Sequence, residues 1–135
     1  MIVSSPSTAI AIVEDEAKMR QAIGRLLRLQ GYDVIQFESG DHFLSHLGDP
    51  IVNCVLLDVH LPGNADGFGV LEALQGRQNS PPVIVMTAHD EPGYAQRFSN
   101  LGASDYLLKP VDDAPLLTAI RRALGGETVP EFEPG

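Results

Sequence analysis

Four short apolar runs punctuate the chain, and each ends in polar residues. Ala9-Ile10-Ala11-Ile12-Val13 leads into Glu14-Asp15, and Cys54-Val55-Leu56-Leu57 into Asp58. Val83-Ile84-Val85-Met86 leads into Thr87, and Tyr106-Leu107-Leu108 into Lys109-Pro110. Runs this short that are apolar throughout fit strands buried on both faces of a parallel sheet. A fifth run, Val34-Ile35-Gln36-Phe37, alternates as a strand does.

Between these runs the apolar residues recur at helical spacing. Ala17, Ile23, Leu26, Leu27 and Gln30 trace a helix that Gly31 closes from the C′ position. Ser39 predicts an N-cap for a helix through Phe43, Leu44 and Leu47, stopped by Gly48 and Pro50. A Pro-Gly loop from Leu61 to Gly67 precedes a helix carrying Phe68, Val70, Leu71 and Leu74. Pro92 is expected in the first turn of a helix whose one face carries Tyr94, Phe98 and Leu101. Leu116, Leu117, Ile120, Ala123 and Leu124 predict the last helix, capped by Asp112 or Asp113.

Five such βα units predict an α/β fold: a five-stranded parallel sheet flanked by five helices, with right-handed crossovers. The flavodoxin-like, doubly wound strand order 2-1-3-4-5 makes strands 1 and 3 neighbours. Glu14-Asp15 and Asp58 then meet at the carboxyl edge of the sheet, where open α/β sheets bind ligands, and Thr87 and Lys109 join from strands 4 and 5. The expected organisation is a lead over residues 1–7, one domain over 8–125, and an acidic flexible tail over 126–135.

Composition narrows the functional classes. Nine basic against eighteen acidic side chains give a net charge of −9, and no basic cluster is present, which speaks against direct nucleic-acid binding. The single Cys54 lies inside an apolar run, reads as a small buried hydrophobe, and suits a reducing cytoplasm. No apolar stretch approaches bilayer length, and residues 1–8 lack a signal-peptide core, so a cytoplasmic protein with no membrane role is expected.

Three carboxylates, a hydroxyl and one ammonium at a single edge describe a site for a divalent cation and an oxyanion. Taken singly, Glu14, Asp15 and Glu16 would pass for acids near a helix N-terminus, Asp58 for a loop acid and Thr87 for a cap. Independent caps would not reproduce the joint spacing. His42 and His46 are four apart on a helix, but lack an intervening Glu and a third ligand, so a solvated helix face is expected there.

Val13-Glu14-Asp15-Glu16, Leu57-Asp58-Val59-His60-Leu61-Pro62-Gly63, Met86-Thr87-Ala88 and Leu108-Lys109-Pro110 resemble, in order and spacing, the motifs of CheY-like response-regulator receiver domains. The resemblance covers about residues 8–124, and around Phe43-Leu44 and Lys109 to Asp113 it is closest to receivers of the FixJ/NarL type. It implies two-component signalling, with Asp58 accepting a phosphoryl group from a sensor histidine kinase or phosphotransfer protein. Mg²⁺ or Mn²⁺ would be held by Asp15, Asp58 and the backbone carbonyl of His60, with Glu14 acting through water. Lys109 would share the charge of the transferring group. Thr87 would reach the phosphoryl oxygens, and Tyr106 would move into the space it leaves. The resemblance further implies a cis Lys109-Pro110 peptide and a responsive face made by the fourth helix, fifth strand and fifth helix. That face would bind a downstream protein partner or a second copy in a homodimer. No enzymatic turnover beyond slow self-dephosphorylation is expected. His60 and His89, two positions after Asp58 and Thr87, would tune water access to the aspartyl phosphate.

Two departures from the family pattern stand out. Asp58 to Gly67 spans nine positions where eight is common, so the loop carries one extra residue. Nothing after residue 125 reads as a helix-turn-helix, which favours a stand-alone receiver over the receiver module of a longer DNA-binding transcriptional regulator. A pseudo-receiver acting only by protein binding would normally lack Asp58 or Lys109, and both are present. A haloacid dehalogenase-type phosphatase would need a second acid two residues after its nucleophile, where His60 stands. A flavin binder would need a phosphate-cradling loop where Glu14-Asp15 would repel phosphate.

Overall fold

The computed structural model describes residues 8–47 and 52–125. Strands and helices alternate along the chain: β1 Ala9–Val13, α1 Ala17–Leu29, β2 Asp33–Phe37, α2 Gly40–Leu44 and β3 Cys54–Asp58. They continue as α3 Gly67–Gln75, β4 Val83–Thr87, α4 Tyr94–Asn100, β5 Asp105–Leu108 and α5 Asp113–Ala123. All strand pairs are parallel, in the order β2-β1-β3-β4-β5. This is the CheY-like doubly wound architecture expected from the sequence.

The period-2 alternation of strand side chains explains why the central runs are apolar at every position. Ala11, Val13, Val55, Leu57, Val83 and Val85 face one core, completed by Phe43, Val70, Leu71, Leu74 and Phe98 from α2, α3 and α4. Ile10, Ile12, Cys54, Leu56, Ile84 and Met86 face the other, completed by Ile23, Leu27, Leu116, Ala119 and Ile120 from α1 and α5. Each buried Leu or Ile contributes about 1.5–3 kcal/mol, well above the worth of a surface ion pair. Sheet order and register therefore rest on these runs, and the residues just beyond them are free to serve chemistry.

Two helix boundaries differ from the sequence reading. Ser39 does cap α2, its Oγ accepting the His42 amide at 3.0 Å, but the helix ends at Leu44 instead of running through Leu47. Side chains compete there for the His42 carbonyl: Ser45 Oγ donates to it at 2.7 Å and His46 Nδ1 lies 3.0 Å from it. The His46 amide bonds instead to Phe43 O at 3.0 Å, tightening the last turn. The proposed stop at Gly48 and Pro50 lies outside the described residues, as do the lead 1–7 and the tail 126–135. Pro92 falls before α4, not inside its first turn, because Gly93 adopts φ +84° and a left-handed residue cannot belong to a right-handed helix. Asp112 occupies the N-cap of α5 without a side-chain capping hydrogen bond, and Asp113 opens the helix. Gly31 takes φ +93° after α1, as its place at C′ requires.

Candidate functional site

Register brings the polar residues to one edge. Val13 pairs with Leu57 across β1 and β3, Asp58 with Met86 across β3 and β4, and Thr87 with Leu108 across β4 and β5. Glu14-Asp15, Asp58, Thr87 and Lys109 therefore emerge side by side. The Glu14 amide continues the sheet by donating to Phe37 O at 3.1 Å, and the Lys109 amide donates to Thr87 O at 2.7 Å. The Lys109–Pro110 peptide is cis.

Carboxylate oxygens of Glu14, Asp15 and Asp58 lie within 4.8 Å of one another. Glu14 is 1 % exposed and Asp58 4 %, whereas Asp15 faces solvent. Lys109 Nζ donates to Glu14 Oε1 at 2.9 Å and lies 3.3 Å from Asp58 Oδ1. Glu14 Oε2 accepts the Glu16 amide at 3.1 Å, and its carbonyl accepts Arg20 Nη1 at 2.7 Å. Asp58 Oδ1 also accepts the His60 amide at 3.3 Å.

Burial pushes the Glu14 carboxyl above its ordinary range; the Lys109 hydrogen bond pulls it down and the charge of Asp58 pushes it further up. Burial alone would lower the Lys109 ammonium, but its hydrogen bond to Glu14 and the charges of Asp58 and Glu14 outweigh that and raise it. Three clustered carboxylates, two of them in contact with one ammonium, leave an excess of negative charge on all-oxygen donors. That donor set fits a hard divalent cation.

Thr87 is fully buried, and its Oγ1 is engaged within its own loop: it accepts the His89 amide at 3.0 Å and donates to His89 O at 3.3 Å. The His60 and His89 rings meet edge to face with centroids 4.7 Å apart. Tyr106 is half-buried on the edge strand β5; its ring lies 5.4 Å from that of Phe98, and its Oη donates to Asp90 Oδ1 at 3.1 Å. Thr87 and Tyr106 are thus on adjacent strands, each tied to the loop between β4 and α4.

The long loop after Asp58 is anchored at both ends. Asn64 donates its amide to Asp41 Oδ2 at 3.0 Å, and Asp66 caps α3 by accepting the Gly69 amide at 2.9 Å. The Gly67 amide donates to Val59 O at 2.9 Å. His42 and His46 are exposed as expected, but their rings also pack near Phe37, at 5.2 and 5.8 Å between centroids. Arg20, Asp41 and Asp90 were not foreseen around this edge. Arg20 turns back from α1 onto the Glu14 carbonyl, whereas Asp41 and Asp90 act across contacts between separate elements.

Residues 10–121 match the family model described as the response regulator receiver domain. The chain belongs to this family. The receiver is 34% identical over 115 residues to the transcriptional regulatory protein FixJ of Bradyrhizobium diazoefficiens, covering 85% of this chain and 56% of FixJ. It is 33% identical over 113 residues to the DNA-binding transcriptional regulator NtrC of Salmonella typhimurium, covering 84% of this chain and 24% of NtrC. Among solved structures, a CheY-like receiver domain protein from Methanospirillum hungatei JF-1 superposes with a TM-score of 0.82 at 25% identity, covering 89% of this receiver and 95% of that chain. The receiver thus spans about half the length of FixJ and a quarter of NtrC. Among the described residues, no helix is long and apolar enough to cross a membrane.

Proposed function

We propose that this receiver accepts a phosphoryl group on Asp58 from the phosphohistidine of a sensor histidine kinase or phosphotransfer protein, in a reaction that requires Mg²⁺ or Mn²⁺. The observation that carries the reading is the convergence of Asp58 with Glu14, Asp15 and the Lys109 ammonium at the carboxyl edge of the sheet. Asp15, Asp58 and the His60 carbonyl would hold the cation, with Glu14 acting through water. When bound, the cation keeps Asp58 ionised and shares the charge of the equatorial oxygens.

Asp58 is the nucleophile. Its carboxylate is oriented by the Lys109 ammonium and the His60 amide, both on Oδ1. An Asp58 oxygen bonds to phosphorus as the phosphorus–nitrogen bond to the donor imidazole breaks, and the electron pair leaves with that imidazole. Lys109 then lies close enough to exchange its carboxylate contacts for a phosphoryl oxygen. Thr87 gives up its bond to His89 O and donates to another oxygen, and Tyr106 follows into the vacated space. The face made by α4, β5 and α5 changes with it, and a downstream protein or a second copy reads the change. The receiver works in the cytoplasm, through proteins rather than nucleic acid, and turns over nothing beyond its own phosphate.

A second reading is supported by the relatives, which are transcriptional regulators longer than this chain. There the same switch serves as the input of a DNA-binding regulator. The deciding experiment for both is intact mass after incubation with Mg²⁺ and a small phosphoryl donor or candidate kinases, beside Asp58→Asn. A Mg²⁺-dependent gain of one phosphoryl group, absent in the variant, is expected. No gain with any donor would leave a pseudo-receiver that acts by protein binding alone.

A further inference from the structure

Asp90 has no part in the phosphoryl chemistry above, yet it forms the one side-chain hydrogen bond of the Tyr106 phenol among the described residues. The contact spans 16 positions and joins the edge strand β5 to the loop that follows β4. That loop starts directly after Thr87, the last residue of β4, and carries His89, to which the Thr87 hydroxyl is bonded on both its donor and acceptor sides. The far side of the Tyr106 ring rests against Phe98, which stacks on Phe68 at 4.7 Å between centroids and meets Tyr94 at 5.3 Å. Tyr106 is therefore held by its ring on α4 and by its hydroxyl on the loop.

We propose that Asp90 is a positioning residue that keeps Tyr106 outward and Thr87 withdrawn until Asp58 is phosphorylated. This rests on the phosphoacceptor reading and specifies what restrains it. A carboxylate accepting from a phenol makes a charge-assisted hydrogen bond, stronger than a neutral one. For Tyr106 to enter the space beside the buried Thr87, that bond must break, because Asp90 is exposed and the phenol would move away from it. The loop cannot draw Thr87 toward a phosphoryl oxygen while Asp90, three residues on, remains tied to the outward phenol. The phenol proton is correspondingly harder to remove: burial raises the Tyr106 pKa, and the bond to Asp90 and the charges of Asp90 and Glu91 add to it. Phosphorylation supplies the Thr87 hydroxyl with a better acceptor than His89 O, and the balance shifts.

The test uses two readouts, one independent of phosphorylation. The chain contains no Trp and three Tyr, so Tyr32→Phe combined with Tyr94→Phe leaves Tyr106 as the only emitter. In that background Asp90→Ala should raise tyrosine emission, since a phenol bonded to a carboxylate is quenched, and Asp90→Glu should restore quenching. In the otherwise native chain Asp90→Ala should accept phosphoryl from a small donor about tenfold faster or more, the worth of one hydrogen bond to a charged group, with unchanged Mg²⁺ affinity. The gain should vanish in a Tyr106→Phe background, which lacks the bond already. Unchanged emission in Asp90→Ala, or a rate gain that persists with Tyr106→Phe, would overturn the proposal. If no variant and no native protein accepts phosphoryl, the functional reading fails on its own, and emission alone then decides whether Asp90 positions Tyr106.

Discussion

Lys109 and Glu14 stand 95 positions apart in the chain and meet in a 2.9 Å ion pair between Nζ and Oε1. Glu14 is buried and cannot keep a charge there without a partner. The ammonium and the Glu16 amide occupy its two oxygens, one each. Lys109 reaches Asp58 from the same position, so one cation links the ends of β1, β3 and β5. The pair therefore serves stability in the resting protein, and the same ammonium is the group available to a phosphoryl oxygen.

Removing that ammonium should separate the two roles. Lys109→Met leaves Glu14 with an unpaired buried oxygen, and should cost about 1–3 kcal/mol of stability in divalent-free buffer. Mg²⁺ should recover part of the loss by neutralising the same carboxylates. The variant should still accept phosphoryl but show little change at the α4-β5-α5 face. Urea unfolding with and without Mg²⁺, followed by spectra of the phosphorylated variant, checks both halves.

Asp58→Asn should act in the opposite sense on stability. It takes one of three crowded carboxylates away and relieves the charge that pushes the Glu14 carboxyl up. In divalent-free buffer the variant should be at least as stable as the native chain. Its midpoint should also gain less from Mg²⁺, because a ligand that binds only the folded state stabilises it by an amount that rises with the logarithm of its affinity. Thermal unfolding across a Mg²⁺ series measures this. A native-like Mg²⁺ response would mean that Asp58 is not a ligand.

The sheet was legible because its central strands are buried on two faces, so Ile10 to Val13 and Cys54 to Leu57 carry an unbroken apolar signal. The site edge was legible for the same reason: a polar residue directly after such a run has one place to go. The ends of α2 and α4 were not. Ser45 and His46 turn their side chains onto the His42 carbonyl, and Gly93 takes a left-handed conformation that displaces Pro92. Both are local competitions that periodicity does not register.

Partners within the edge were harder still to read. The sequence brings Glu14 and Lys109 to one edge, but not into a direct pair; that depends on side-chain reach across the ends of β3 and β4. The Asp90–Tyr106 and Asp41–Asn64 contacts depend on loop paths between elements. The extra residue after Asp58 was visible as a count, whereas its anchoring on Asp41 was not.

Gly67 is fixed by a close approach and offers a sharp test of that loop. A Cβ there would lie 2.6 Å from Val59 Cα and 3.0 Å from Asp58 O. Neither is a flexible side-chain end, so backbone must shift. Gly67→Ala should cost about 1–3 kcal/mol by overpacking. The shift falls beside Asp58 and His60, so Mg²⁺ affinity should drop as well. Gly69→Ala, two positions on, meets its nearest atom only at 3.6 Å and should leave affinity unchanged. Mg²⁺ titration of the two variants separates a local displacement from a general loss of helix α3.

Cys54 provides a probe of the core behind the site. It is fully buried, and burial pushes its thiol up to about 12, against an opposing pull from the Val55 backbone hydrogen bond. A free thiol near 9 ionises three units earlier, so the folded state holds the proton more tightly than the unfolded chain. The stability this contributes is fully present below pH 9 and is lost as the pH climbs toward 12. At neutral pH the native protein should react with a thiol-specific disulfide reagent only through opening of the sheet, at a rate that follows unfolding. Because β3 ends in Asp58, Mg²⁺ should slow that reaction in the native chain and slow it less in Asp58→Asn. Equal protection in both would mean that cation binding does not stabilise this strand.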